Sequence, residues 1–164
     1  MMKVTLTVLI FLANSMLINA GTNFDAAWSS DCPSGQSIRH ISSVHSNWHE
    51  DRSWTWKCKH DSIITSSCRW SGYVNSFDKD LLYQCATGVI TGVKSYHSNW
   101  YEDRKFNFKC CKTKSYTRAC YWTGYVNSWD GYLSYTVPSY YYLVGVQSYH
   151  SNFREDRRWR FLVC

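Results

Sequence analysis

Aromatic and polar residues alternate with a period of two at three places in the chain. Trp54 and Trp56, Phe106 and Phe108, and Trp159 and Phe161 each bracket a polar or basic residue shortly after an Asp-Arg pair. Successive strand side chains leave opposite faces, so this alternation predicts half-buried β-strands. The stretches ahead of them, GVITGVKSYHS at 88–98 and YYYLVGVQSYHS at 140–151, are β-branched, aromatic and punctuated by Gly. No window sustains a 3.6-residue period with helix caps, and the pattern as a whole predicts an all-β fold.

The same segments are copies of one another. ISSVHSNWHEDRSWTWKC at 41–58, VKSYHSNWYEDRKFNFKC at 93–110 and VQSYHSNFREDRRWRFLVC at 146–164 align almost without gaps. A second block, CRWSGYVNSFDKDLLYQC at 68–85, matches CYWTGYVNSWDGYLSYTV at 120–137, with a truncated counterpart, FDAAWSSDC, at 24–32. A period near 50 residues marks one supersecondary unit used three times, at approximately 24–58, 68–110 and 120–164. Closure hides strand edges that an open array would expose, so the units are expected to close about a pseudo-threefold axis. A trefoil-like barrel and a three-sheet β-prism both satisfy that expectation.

Residues 1–20 read as a secretory signal peptide: Lys3, an apolar run from Val4 to Leu12, then small or polar residues up to Ala20. The run falls short of the ~20 apolar residues that a membrane span needs. The remaining 21–164 form one expected domain, secreted to an extracellular matrix or fluid. Loss of Lys3 takes the formal charge from +6 to +5, and the composition is rich in Trp and Tyr. Such a surface suits anionic or sugar-bearing partners; the secretory route argues against nucleic acid, and no membrane insertion is expected.

All eight Cys lie after the signal, which in an oxidising compartment reads as four disulfides. Cys58 and Cys110 stand six residues after the Arg of their units, whereas Cys111 and Cys164 stand seven after it, on the opposite strand face. Repeat-related pairing then joins Cys32 with Cys58, Cys85 with Cys110, Cys68 with Cys111 and Cys120 with Cys164. No thiol is left for catalysis.

With these motifs in place the chain resembles the dermatopontin family, whose repeated Asp-Arg-x-aromatic-x-aromatic-x-Cys segment here reads DRSWTWKC, DRKFNFKCC and DRRWRFLVC. CPSGQSI at 32–38 and the adjacent Cys110 and Cys111 also fit. The resemblance implies an extracellular matrix protein that binds proteoglycans and sulfated glycosaminoglycans and supports cell adhesion. Invertebrate members imply the alternative of a multivalent, lectin-like agglutinin in innate defence. The Tyr- and Asp-rich N-terminal extension of vertebrate members is missing.

Three loops repeat His, Asn and Glu: His45, Asn47 and Glu50; His97, Asn99 and Glu102; His150, Asn152 and Glu155. They are candidate ligand sites, and a threefold set of weak sites gains by avidity. The structural alternative is a turn in which Asp51, Asp103 or Asp156 pairs with a nearby Arg. Trp70, Tyr73, Trp122 and Tyr125, in turn-like WSGYVN and WTGYVN segments, are candidate sugar-stacking rings. Lys109, Lys112, Lys114 and Arg158 are candidate sulfate contacts. Gly-x-Ser-x-Gly, His-Glu-x-x-His and phosphate-loop motifs are absent from the sequence, and three equivalent centres are an unusual plan for an enzyme. No catalytic residue, metal or cofactor is expected.

Overall fold

The structure, a computed structural model, describes residues 21–115 and 119–164. The expected signal peptide lies outside the described residues. The described residues form β1 (Trp28–Asp31), β2 (Gln36–Ser46), β3 (Asp51–His60), β4 (Ile64–Tyr73), β5 (Leu81–Gln84), β6 (Val89–Ser98), β7 (Asp103–Thr113), β8 (Tyr121–Trp122), β9 (Leu133–Thr136), β10 (Leu143–Ser151) and β11 (Asp156–Val163), with no helix among them. The three aromatic segments are β3, β7 and β11, and each forms an antiparallel hairpin with the strand before it. Trp54, Phe106, Phe108, Trp159 and Phe161 are buried as the alternation predicts, and Trp56 is half-buried.

Each hairpin takes a further short strand from elsewhere in the chain. β1, which precedes the first hairpin, pairs with β6 of the second; β5, preceding the second, pairs with β10 of the third. β9, preceding the third, pairs with β2 of the first. The outer edges of β7 and β11 are covered by β4 and β8. The result is three separate sheets, in the orders β1-β6-β7-β4, β5-β10-β11-β8 and β3-β2-β9. This corrects the expectation of a trefoil-like barrel. A barrel needs each hairpin edge to bond to the next hairpin, and here the edges of β2, β6 and β10 are occupied by borrowed strands.

The sheets meet on a shared core. Trp54, Phe106 and Trp159 touch one another edge to face, with ring centroids 6.2, 5.2 and 4.9 Å apart. That arrangement sets the positive ring edge against the negative face, worth about 0.5–1.5 kcal/mol per pair beyond burial. A second cluster, including Ile64, Val89, Cys111, Val144 and Cys164, packs the second and third hairpins together. The four disulfides join Cys32 to Cys58, Cys68 to Cys111, Cys85 to Cys110 and Cys120 to Cys164.

Candidate functional site

At the turn end of each hairpin the Asp-Arg pair goes inward and the residues before it go outward. The inward half is a closed circuit of charge. Arg104 grips Asp51 through Nε and Nη2, both at 2.6 Å, and Arg157 grips Asp103 at 2.6 and 2.7 Å. Arg52 grips Asp156 at 2.6 and 2.8 Å. All six side chains are essentially buried. Each Arg therefore holds the Asp of a different hairpin, not its own neighbour, and the three bonds together tie all three hairpins at one end.

A second ring of Asp residues supports the first. The backbone N–H groups of Asp25, Asp78 and Asp130 donate to Asp51, Asp103 and Asp156, each at 2.9 Å. All three sit in left-handed backbone, φ 60°, 60° and 58°, which Asp tolerates better than most residues. Their Oδ1 atoms face the repeated histidines, 3.9 Å from His97, 3.6 Å from His150 and 3.8 Å from His45. His97, His150 and His45 have side chains only 1% exposed. The imidazoles are held in the scaffold: His97 and His150 face an acid at each ring nitrogen, His45 faces Asp130 at one and the Glu155 carbonyl at the other, and Asn47 and Asn99 bond to His45 and His97 at 3.0 and 3.2 Å.

Glu50, Glu102 and Glu155 line one narrow concavity above the Trp54, Phe106 and Trp159 rings. Each occupies left-handed backbone, at φ 45°, 42° and 44°. Glu102 and Glu155 titrate high. Burial is the main cause for both, followed for Glu155 by the negative charge of Glu50, Asp78 and Glu102, which push it up to about 7. Groups offering one Asp, a second Asp and a His within 4.8 Å of one another recur three times here. In each, one Asp already spends both oxygens on Arg.

Outside this circuit the loops carry their aromatic residues into solvent. Trp48 is 91% exposed, Trp100 86% and Phe153 88%, and Asn47, Asn99 and Asn152 beside them are exposed too. These three rings were missed by the sequence reading, although the residue after each His-Ser-Asn is aromatic in every copy and falls off the period-two pattern.

The WSGYVN and WTGYVN segments are placed differently. Asn75 and Asn127 are buried and occupied, bonding Arg104 O and Phe106 N, and Arg157 O and Trp159 N, all at 2.9 Å. In the truncated first unit, Thr22 does that work on Trp54. The rings are paired with cations: Lys94 and Lys109 lie over Trp70 at 4.2 and 5.9 Å, Arg158 and Arg160 over Tyr125 at 4.7 and 5.6 Å, and Arg160 over Trp122 at 5.3 Å. Tyr73 is half-exposed against Tyr96. Lys109 also pairs with Asp31 at 2.6 Å, whereas Lys112 and Lys114 are exposed.

Residues 22–164 match the family model described as Dermatopontin. The chain belongs to the dermatopontin family. Similar to it are the hemagglutinin/amebocyte aggregation factor of Limulus polyphemus, at 49% identity over 87% of this chain and 84% of that one, and dermatopontin of Biomphalaria glabrata, at 39% over 81% and 90%. Human dermatopontin is 27% identical over 84% of this chain and 72% of its own. No solved structure matches. Within the dermatopontin family reading, the repeated Asp-Arg motif acquires a structural meaning in this chain: it is the circuit that joins the hairpins. No helix among the described residues is long and apolar enough to cross a membrane.

Proposed function

We propose that this chain is a secreted, non-catalytic adhesion protein that cross-links cell-surface glycans through its three repeated loops. The carrying observation is the exposure of Trp48, Trp100 and Phe153, each beside an exposed Asn, at the same position of three hairpins. An exposed aromatic ring thus recurs at one position of three hairpins, and an aromatic face with an adjacent amide suits a sugar ring and its hydroxyls. The strand exchange and the ion-pair circuit support a pseudo-threefold arrangement of the loops about one axis. The agglutinin named among the relatives supports multivalency. Changing Trp48, Trp100 and Phe153 together to Ala is expected to abolish agglutination while leaving Tm within a few degrees; agglutination by the folded triple variant at wild-type titre would remove the loops from the reading.

A second reading, binding of sulfated glycosaminoglycans or proteoglycans, is favoured by the basic-aromatic faces around Trp70 and Tyr125. It predicts retention on a heparin column that falls steeply with salt, since exposed charge is screened within about 10 Å at 0.1 M. Exchange of Lys109, Lys112 and Lys114 for Glu should shorten that retention, and unchanged elution would argue against the patch.

A further inference from the structure

The first unit lacks something the other two possess. At the seventh position after the Arg, the second and third units carry Cys111 and Cys164, bonded to Cys68 and Cys120; the first carries Lys59. Cys111 pairs across its hairpin with Val89, and Lys59 pairs with Ser37. The irregular position of each hairpin repeats the contrast: Thr91 and Val144 are buried there, while the first hairpin has Arg39. Where the second unit holds a disulfide with Val89 and Thr91, and the third a disulfide with Val144, the first therefore holds Ser37, Arg39 and Lys59.

These residues line an open pocket of about 250 Å³, just under the roughly 300 Å³ at which drug-sized ligand sites begin and so sized for a small ligand. It sits at the opposite end of the β2–β3 hairpin from the exposed loops. Eight register steps separate Ser37↔Lys59 from Ser46↔Asp51, roughly 26 Å at ~3.3 Å per residue. Within it Asp61 and Tyr142 bond each other and Arg39 lies over the Tyr142 ring. Arg39 is held in place by the backbone carbonyls of Tyr141 and Pro138. Lys59 has no acidic partner among the ion pairs of the described residues. Asp61, the acid in the lining, is bonded to the Tyr142 hydroxyl and to Ile63 N–H, and those bonds hold its carboxyl below the usual range. Ser37 is fully buried, yet its hydroxyl has no hydrogen-bond partner. A buried orphan hydroxyl costs free energy unless something in the pocket bonds it. Tyr140 stands at the rim, 76% exposed.

We propose that this pocket binds an anionic sugar, its acid group against Lys59 and Arg39 and its hydroxyls on Ser37 and Asp61. Two cations against one hydrogen-bonded carboxylate leave the pocket positive, and the hydroxyl-rich lining suits a polyol. A loop end and a pocket end roughly 26 Å apart along the strands give one molecule two unlike contacts, so it can bridge a surface to an acidic glycan.

The test is ligand-observed NMR on the full mature chain with four probes: N-acetylneuraminic acid, glucuronic acid, glucose 6-sulfate and neutral glucose. At least one acidic sugar is expected to bind at least tenfold more tightly than glucose, and the carboxylated and sulfated probes distinguish which acid the pocket takes. Lys59→Glu and the milder Ser37→Ala are each expected to weaken that binding, Lys59→Glu by tenfold or more, with Tm of the exposed Lys59 variant unchanged. Equal response to glucose, or undiminished acidic-sugar binding by folded Lys59→Glu, overturns the proposal. The Trp48, Trp100 and Phe153 triple variant separates this site from the loops: it should retain acidic-sugar binding even as agglutination is lost, and loss of both would overturn the independence of the two ends.

Discussion

Arg104 places a planar fork on Asp51 in a site closed to water, so the two charges depend on each other. Removing one partner strands the other in a poorly solvating interior, at a cost of about 3–5 kcal/mol. Arg104→Ala should lower the unfolding free energy by that amount in urea titrations. The joint replacement of Arg104 by Met and Asp51 by Leu should cost less than the sum of the single changes. Strict additivity would mean that the pair is not coupled. Glu155 makes the opposite kind of contribution. Its folded carboxyl titrates at about 7, above the ordinary 4.5, so its ionised form is disfavoured by folding. This term leaves stability intact below about pH 4.5 and erodes it as pH rises through 7. Glu155→Gln should therefore raise Tm at pH 8 and change little at pH 4. Discounted for partial exposure, the gain is about 1 kcal/mol, or roughly 2–4 °C. A gain equal at both pH values would assign the effect to packing. At this scale the sequence shows which residues recur but not whom they meet. Asp51 and Arg52 are adjacent, yet Arg52 bonds Asp156, 104 positions away, and only the folded topology makes that contact. The burial of His97 was hidden for the same reason, since the Asp25 beside it comes from the truncated N-terminal block.

Among the elements, the three aromatic hairpins were legible because their period of two survives every copy. The borrowed strands were not: β1, β5 and β9 are four residues each, too short to declare a partner. The WSGYVN and WTGYVN segments read as turns carrying sugar-stacking rings, and their Asn residues are pins on β7 and β11. Asn127→Ala leaves the buried Trp159 N–H without its acceptor and should cost about 1–3 kcal/mol. Thr22→Ala, at the equivalent and less enclosed position on Trp54, should cost less. Paired thermal melts of the two variants decide whether these are equivalent structural pins. Gly88 is a stricter case, because at φ +88° an added Cβ would lie 1.9 Å from the Cys111 carbonyl oxygen. Gly88→Ala should fail to accumulate as folded protein, and normal yield with native Tm would show that the turn can shift.

For the whole molecule, strand exchange and the ion-pair circuit make each unit incomplete alone. Unfolding should be a single transition whose calorimetric and van't Hoff enthalpies agree; separable transitions would mean that the units are autonomous beads. The three aromatic hairpins were readable from self-comparison, whereas the choice between a barrel and separate sheets was not, because pairing order leaves no mark on periodicity.

The disulfides carry a mechanical consequence. None crosses from one unit to another: the bridges close 32–58, 68–111 and 120–164, with 85–110 nested inside the second. Tension applied between residue 21 and Cys164 would pass from Cys164 straight to Cys120, then from Cys111 to Cys68 and from Cys58 to Cys32. The chain inside each covalent loop is shielded from the load. Only about 30 residues can pay out, roughly 100 Å at ~3.3–3.6 Å per residue, after which the chain is taut through sulfur. A protein that tethers cells would, on this path, lengthen a short fixed distance and then hold, with all three hairpin turns still closed behind their bridges.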